Sequence, residues 1–110
     1  MKTIYTYTEE QATEDGMLFA IASMKYTDWD KGIFSHITSN LMDQGYIGNP
    51  LNIADLLNQA NQIVKKASKN FTEHDTFFSG SVELPNGSQQ KVFIQQNATG
   101  KFTIMLPQDY

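Results

Sequence analysis

The sequence predicts one α+β domain spanning residues 1–110. A C-terminal three-stranded antiparallel meander packs against a central amphipathic helix, with a shorter helix and strand before them. Three observations predict it. The stretch LNIADLLNQANQIVKKASKN carries Ile53, Leu56, Leu57, Ala60, Ile63, Val64 and Ala67 at helical spacing. The stretch TFFSGSVELPNGSQQKVFIQQNATGKFTIMLP alternates apolar and polar residues around two glycine-bearing loops. A chain of 110 residues buries roughly two-thirds of its unfolded surface, enough for one core without disulfides, and there is no cysteine to form any.

From the N-terminus, IYTYT alternates Ile4 and Thr6 with Tyr5 and Tyr7, as a strand does. Thr8 and Gln11 form a capping box for a short helix ending before Gly16. MLFAI then reads as a buried strand. Between Thr27 and Gly45, the residues Ile33, Phe34, Ile37 and Leu41 suit one helix face; the alternative is a shorter helix beginning at Thr38 with IFSHI extended before it. GYIGNP is a loop. In the central helix, Asn52 is the expected N-cap and Asp55 falls in the first turn. Lys65, Lys66 and Lys69 sit near its end, where the helix dipole favours cations. Asn70 suits the left-handed stop, and Asn58, Gln59, Asn61 and Gln62 solvate the outer face.

Loop length sets the register of the meander. A two-residue Asn86-Gly87 loop would send Val82 and Val92 to opposite faces. The three-residue loop Pro85-Asn86-Gly87, with Gly87 left-handed, pairs Phe78 with Ile94 and Gly80 with Val92. Ala98-Thr99-Gly100 acts the same way and sets Ile94 opposite Ile104. The second face then carries Phe77, Phe93 and Met105, more apolar than a solvated face needs. It is covered by the N-terminal part or by a partner, including a second copy.

Composition excludes several functions. Without cysteine there is no thiolate metal site and no thiol nucleophile. All eight basic residues are lysine, and the absence of arginine weighs against sequence-specific nucleic-acid binding. No apolar run is long enough for a signal peptide or a membrane span, so a cytoplasmic setting is expected. Asn70-Phe71-Thr72, Asn86-Gly87-Ser88 and Asn97-Ala98-Thr99 match the glycosylation pattern and are read as turn chemistry. No phosphate-binding loop, dinucleotide fingerprint or nucleophile elbow occurs, so no cofactor is expected. His36 lies in an apolar stretch and is expected to be packed. His74, between Glu73 and Asp75, is a better ligand but stands in too small a cluster to hold a metal.

Charge is uneven. Residues 1–55 hold eight acids and three lysines, and residues 56–110 hold four acids and five lysines. The acids concentrate in TEEQATEDG. Glu9 and Glu10 suit a first helical turn, but Glu14 and Asp15 lie at the helix end, where the dipole disfavours them. Glu10 and Glu14 are also a like-charged pair four apart, costing roughly 0.2–0.5 kcal/mol. A seven-residue helix offers too little burial to separate two carboxylate pKa values, so catalysis is not expected there. Asp28-Trp29-Asp30 sets the only tryptophan between two acids, an aromatic anchor with acidic flanks suited to a basic partner. The candidate partner-binding set is Glu10, Glu14, Asp15, Asp28, Trp29 and Asp30.

Tyr7, Thr8, Gln11, Ala12, Asp15, Gly16 and Leu18, with Thr103 through Pro107 and Asp109, resemble the start and end of a family of small uncharacterised proteins of plasmids, phages and other mobile elements. The likeness covers roughly the first 20 and last 10 residues, with FSHIT at 34–38 a weaker match. The resemblance implies a setting in which small acidic proteins protect their element by blocking a host nuclease. It supplies no catalytic residues. The expectation is a non-catalytic anti-defence inhibitor of the anti-CRISPR type, acting in the host cytoplasm on a basic nuclease or its guide complex. The alternative is a self-associating structural or maintenance protein, a homodimer through Phe77, Phe93 and Met105; a small hydrolase or nuclease is the third class.

Overall fold

The computed structural model describes residues 16–21, 33–68 and 76–110. In chain order they form β1 (Leu18–Ala20), β2 (Phe34–Thr38), α1 (Ser39–Met42), α2 (Pro50–Ser68), β3 (Phe77–Glu83), β4 (Gln89–Gln96), β5 (Phe102–Met105) and a final 3-10 turn, Pro107–Asp109. One mixed sheet holds the strands in the order β1-β2-β5-β4-β3. The expected strand in IYTYT, the capped helix from Thr8, and the helix stop at Asn70 lie outside the described residues.

Two loops of like construction position β3, β4 and β5. The amide of Leu84 donates to Ser88 O (2.8 Å) and that of Gly87 to Leu84 O (2.8 Å). In the second loop Asn97 N donates to Lys101 O (2.8 Å) and Gly100 N to Asn97 O (3.0 Å). Gly87 and Gly100 have φ of 87° and 86°, the left-handed region that a side chain disfavours. Phe78 therefore pairs with Ile94, Gly80 with Val92, and Ile94 with Ile104. Asn86 Oδ1 accepts from Ser88 N, and Asn97 Oδ1 from Thr99 N, each at 3.0 Å, so both Asn-X-Ser/Thr triplets close turns.

The three strands are not a sheet of their own. β5 is interior, and β2 lies parallel to it on the other side, with β1 antiparallel beyond. Segment 27–45 correspondingly contains a strand followed by a short helix with Thr38 as N-cap, rather than one helix. The helical spacing of Phe34 and Ile37 has a strand explanation. The ladder steps from Phe34↔Phe102 to His36↔Thr103, so β2 spends two residues against one. This β-bulge brings two residues three apart onto the same face.

α2 begins three residues earlier than an Asn52 cap implies. Pro50 is its first residue, with a ring that presets the helical φ and no amide to leave unpaired. Ile53 N donates to Asn49 O at 3.0 Å, which makes Asn49 the cap position. Asn52 lies inside the helix and donates to Gly45 O at 3.2 Å. The first turn holds no acid, so Asp55 falls beyond it; Lys65 and Lys66 do occupy the last turn. Gln59 does more than solvate. Its amide accepts from Glu83 N (2.8 Å) and donates to Glu83 O (3.1 Å), pairing the outward backbone of β3 as a neighbouring strand would.

The core lies between α2 and one face of the sheet. Ile53, Leu56 and Ala60 meet Ile37, Ile104, Val92, Ile94, Phe78 and Val82, and Leu41, Met42 and Tyr46 close one side. Gly80 faces Ile63 so closely that a β-carbon there would stand 2.8 Å from Ile63 Cδ1.

Candidate functional site

The six residues singled out as partner-binding, Glu10, Glu14, Asp15, Asp28, Trp29 and Asp30, all lie outside the described residues, as does His74. What the structure supplies is the scaffold to which they attach. Its charges are Asp43, Asp55, Glu83 and Asp109 against Lys65, Lys66, Lys91 and Lys101, which balance. The chain's net charge of −4 therefore falls on residues 1–15, 22–32 and 69–75.

The face of the sheet away from α2 divides into an aromatic part and a polar part. In the aromatic part Phe93 pairs with Met105 across β4 and β5. Phe77, Phe93 and Tyr110 meet edge to face, with centroids 5.0, 5.3 and 5.6 Å apart. Rings this close leave no space for a cation between them, so this is a packed trio and not a cage. Lys91 Nζ stands 5.5 Å from the Phe93 centroid. Met105 is buried, Phe93 half-buried, and Phe77 and Tyr110 remain 37% and 46% exposed. Tyr110 thus lies against the apolar face that the strand register exposes.

The polar part sits where β2, β5 and the β4–β5 turn meet. Ser35 is the extra residue of the bulge. Its Oγ lies 2.7 Å from His36 Nδ1 and accepts from Asn97 Nδ2 at 2.7 Å. Asn97 Nδ2 also donates to Thr103 Oγ1 at 2.9 Å. Asn97 Oδ1 takes bonds from both the amide and the hydroxyl of Thr99. His36 is half-buried, and its Nδ1 meets the Ser35 hydroxyl. Elsewhere Asp109, 8% exposed, accepts from Asn40 Nδ2 at 2.7 Å and from Leu106 N at 3.3 Å, which ties the C-terminal turn to α1.

Among the described residues two buried hydroxyls, Thr38 Oγ1 and Tyr46 Oη, have no hydrogen-bond partner. Burial, and secondarily the charge of Asp55, push the Tyr46 phenol up to about 12.

No family model, curated protein or solved structure matches this chain. Function must therefore be argued from the residues themselves. Among the described residues no group of three or more His, Asp or Glu side chains is placed to hold a metal, and no helix is long and apolar enough to cross a membrane. Ser35 and Asn97 are the site residues that the sequence did not single out. The Asn-X-Thr triplet marked Asn97 as a turn residue, but nothing in the sequence marks the bulge that turns Ser35 towards His36.

Proposed function

We propose that this chain is a protein-binding module of a mobile genetic element, an anti-defence inhibitor of the anti-CRISPR type. It sets acidic side chains against the basic nucleic-acid-binding surface of a host nuclease or its guide complex, and works by occupancy. The observation that carries this reading is the segregation of charge. Residues 1–32 carry six acids and three lysines, whereas residues 33–68 and 76–110 carry four of each. Leu18 pairs with Thr38 and Ala20 with His36, so the acidic stretch ending at Asp15 meets the sheet at one end of the β1–β2 ladder. The stretch containing Asp28 and Asp30 meets it at the other, before Phe34. At about 3.3 Å per residue those two junctions are roughly 15–20 Å apart. Lysine-only basicity and the resemblance to mobile-element proteins support the same setting.

The test is DNA cleavage by a host CRISPR nuclease with the purified chain added at stoichiometric amounts. Inhibition that weakens steeply between about 50 and 200 mM salt is the expected result, because exposed charges are screened over that range. Unchanged cleavage at low salt would contradict it.

The aromatic trio favours a second reading, self-association through the sheet. Phe77 and Tyr110 are exposed on the outermost strand and beside it, and Ser79 and Ser81 of that strand are exposed as well. Sedimentation equilibrium separates the two readings. A dimer that persists as salt rises and is lost in Phe77→Ser supports the second; a monomer rules it out.

A further inference from the structure

We propose that Ser35 is a nucleophile, its hydroxyl held by His36 and Asn97 so that it takes an acyl or phosphonyl group from an activated ester. This chemistry goes beyond the binding reading above and does not depend on it.

Backbone geometry is the first argument. In an unbroken strand, successive side chains point to opposite faces, so a serine and the histidine after it cannot meet. Here the bulge between Phe34 and His36 leaves Ser35 unpaired in the ladder and brings its Oγ to 2.7 Å from His36 Nδ1. Bulges recur beside active sites because they re-aim one side chain without disturbing the rest of the sheet.

The direction of each hydrogen bond is the second argument. Asn97 Oδ1 accepts from Thr99 N, which can only donate, and this fixes which end of the amide is oxygen. Nδ2 therefore faces Ser35 and must donate to Oγ. If His36 carried its proton on Nδ1, Ser35 would receive two bonds and its own proton would be left to solvent. With the proton on Nε2, Ser35 donates to Nδ1 and its own proton has an acceptor. The order is then amide donor, hydroxyl, base. His36 takes the proton, and the Asn97 N–H holds Oγ in position against the base. Thr103, buried on β5, takes the second Asn97 proton and holds the amide in place. Ser35, His36 and Asn97 are each half-buried, and none is sealed in the core.

With a carboxylic ester, Oγ attacks the carbonyl carbon while its proton passes to His36 Nδ1. The ester C–O bond then breaks, and the alcohol leaves with that proton. Water attacks the acyl-serine, gives a proton to His36, and releases the acid as Ser35 recovers its hydrogen. With an alkyl phosphonofluoridate the O–P bond forms, the P–F bond breaks, and fluoride leaves; the proton goes through His36 to solvent, and the adduct stays on Ser35.

The experiment treats the full chain with an alkyl phosphonofluoridate and reads the adduct by intact mass and peptide mapping. One adduct per chain is expected, on Ser35, at a rate that rises with pH as His36 loses its proton. Ser35→Ala should take up none. His36→Gln should slow labelling about 100-fold, the lower range for loss of a general base. Asn97→Asp keeps the oxygen that Thr99 needs but removes both donors, and should slow it about tenfold or more. Should His36→Gln unfold, Ser35→Cys replaces it as the test. Its thiol should react with iodoacetamide at pH 6 about tenfold faster than free cysteine, because the same base activates it. No adduct, an adduct on another residue, a rate untouched by His36→Gln, or a Ser35→Cys thiol no faster than free cysteine would overturn the proposal. Any of these leaves inhibition of a nuclease by the acidic segments unaffected.

Discussion

Gly80→Ala probes the contact that sets the spacing between α2 and the sheet. Replacing glycine in a strand normally stabilises by about 0.5–1 kcal/mol, since the unfolded chain loses freedom. Against this, the new β-carbon would stand 2.8, 2.9 and 3.1 Å from Cδ1, Cγ1 and Cγ2 of Ile63. Cδ1 ends a flexible chain and can swing away. Cγ1 and Cγ2 branch from the β-carbon itself, so they retreat only if α2 moves, and overpacking of that kind costs about 1–3 kcal/mol. The net expectation is a loss of about 1–2 kcal/mol, a fall in melting temperature of roughly 4–12 °C for a domain of this size. Urea unfolding should show a lower midpoint at unchanged slope. Ile63→Ala removes all three offending atoms at a cost of about 1–3 kcal/mol, and in that background Gly80→Ala should become neutral or stabilising. A coupling of at least about 1 kcal/mol between the two sites is therefore predicted. A wild-type chain indifferent to Gly80→Ala, with no coupling to position 63, would show that α2 does not lie on β3 at this distance.

Gly87→Ala and Gly100→Ala should each cost about 1 kcal/mol or more, since both place a β-carbon at positive φ with free space around it; if both are neutral in urea unfolding, the three-residue loops are wrong. Tyr46→Phe removes a buried hydroxyl that has no partner among the described residues, and should be neutral or stabilising by up to about 1 kcal/mol. The same phenol gives a pH signature. Its folded pKa, about 12, lies above the usual 10, so the unfolded chain gives up the proton first and stability falls as pH rises from about 10 to 12. Melting curves should show that slope in the parent and a shallower one in Tyr46→Phe. A chelator should leave the melting temperature unchanged; a drop of many degrees would point to a metal held through His74 and its acidic neighbours.

The legible parts of the fold were those with local signals. Two glycine loops of matching length were enough to set Phe78 opposite Ile94 and Ile94 opposite Ile104. The pairing of β2 with β5 left no such trace, because parallel strands joined through two helices and two further strands share no turn. The bulge then disguised β2, giving Phe34 and Ile37 a spacing that a helix also produces. At α2 the expected cap, Asn52, lies inside the helix, because Pro50 starts it and Asn49 takes the cap position. The polar site was illegible for a related reason. Ser35 meets His36 only through the bulge, and Asn97 reaches Ser35 across 62 residues of sequence. The acidic surface was read from composition alone, and its residues lie outside the described part of the chain.

The most direct measurement is the association kinetics of Glu10→Gln/Glu14→Gln/Asp15→Asn with a host CRISPR nuclease complex, at two salt concentrations, beside a thermal melt. If these acids steer the chain to a basic channel, the variant should melt at or slightly above the parent, because the helix that the sequence predicts from Thr8 would lose a like-charged pair and an adverse dipole contact. Its on-rate at low salt should fall about tenfold or more and lose most of its salt dependence, while its off-rate changes little. Trp29→Ala should act the other way, raising the off-rate and sparing the on-rate. An on-rate equal to the parent's at both salt concentrations, or a triple variant that unfolds, would contradict the acidic-surface reading.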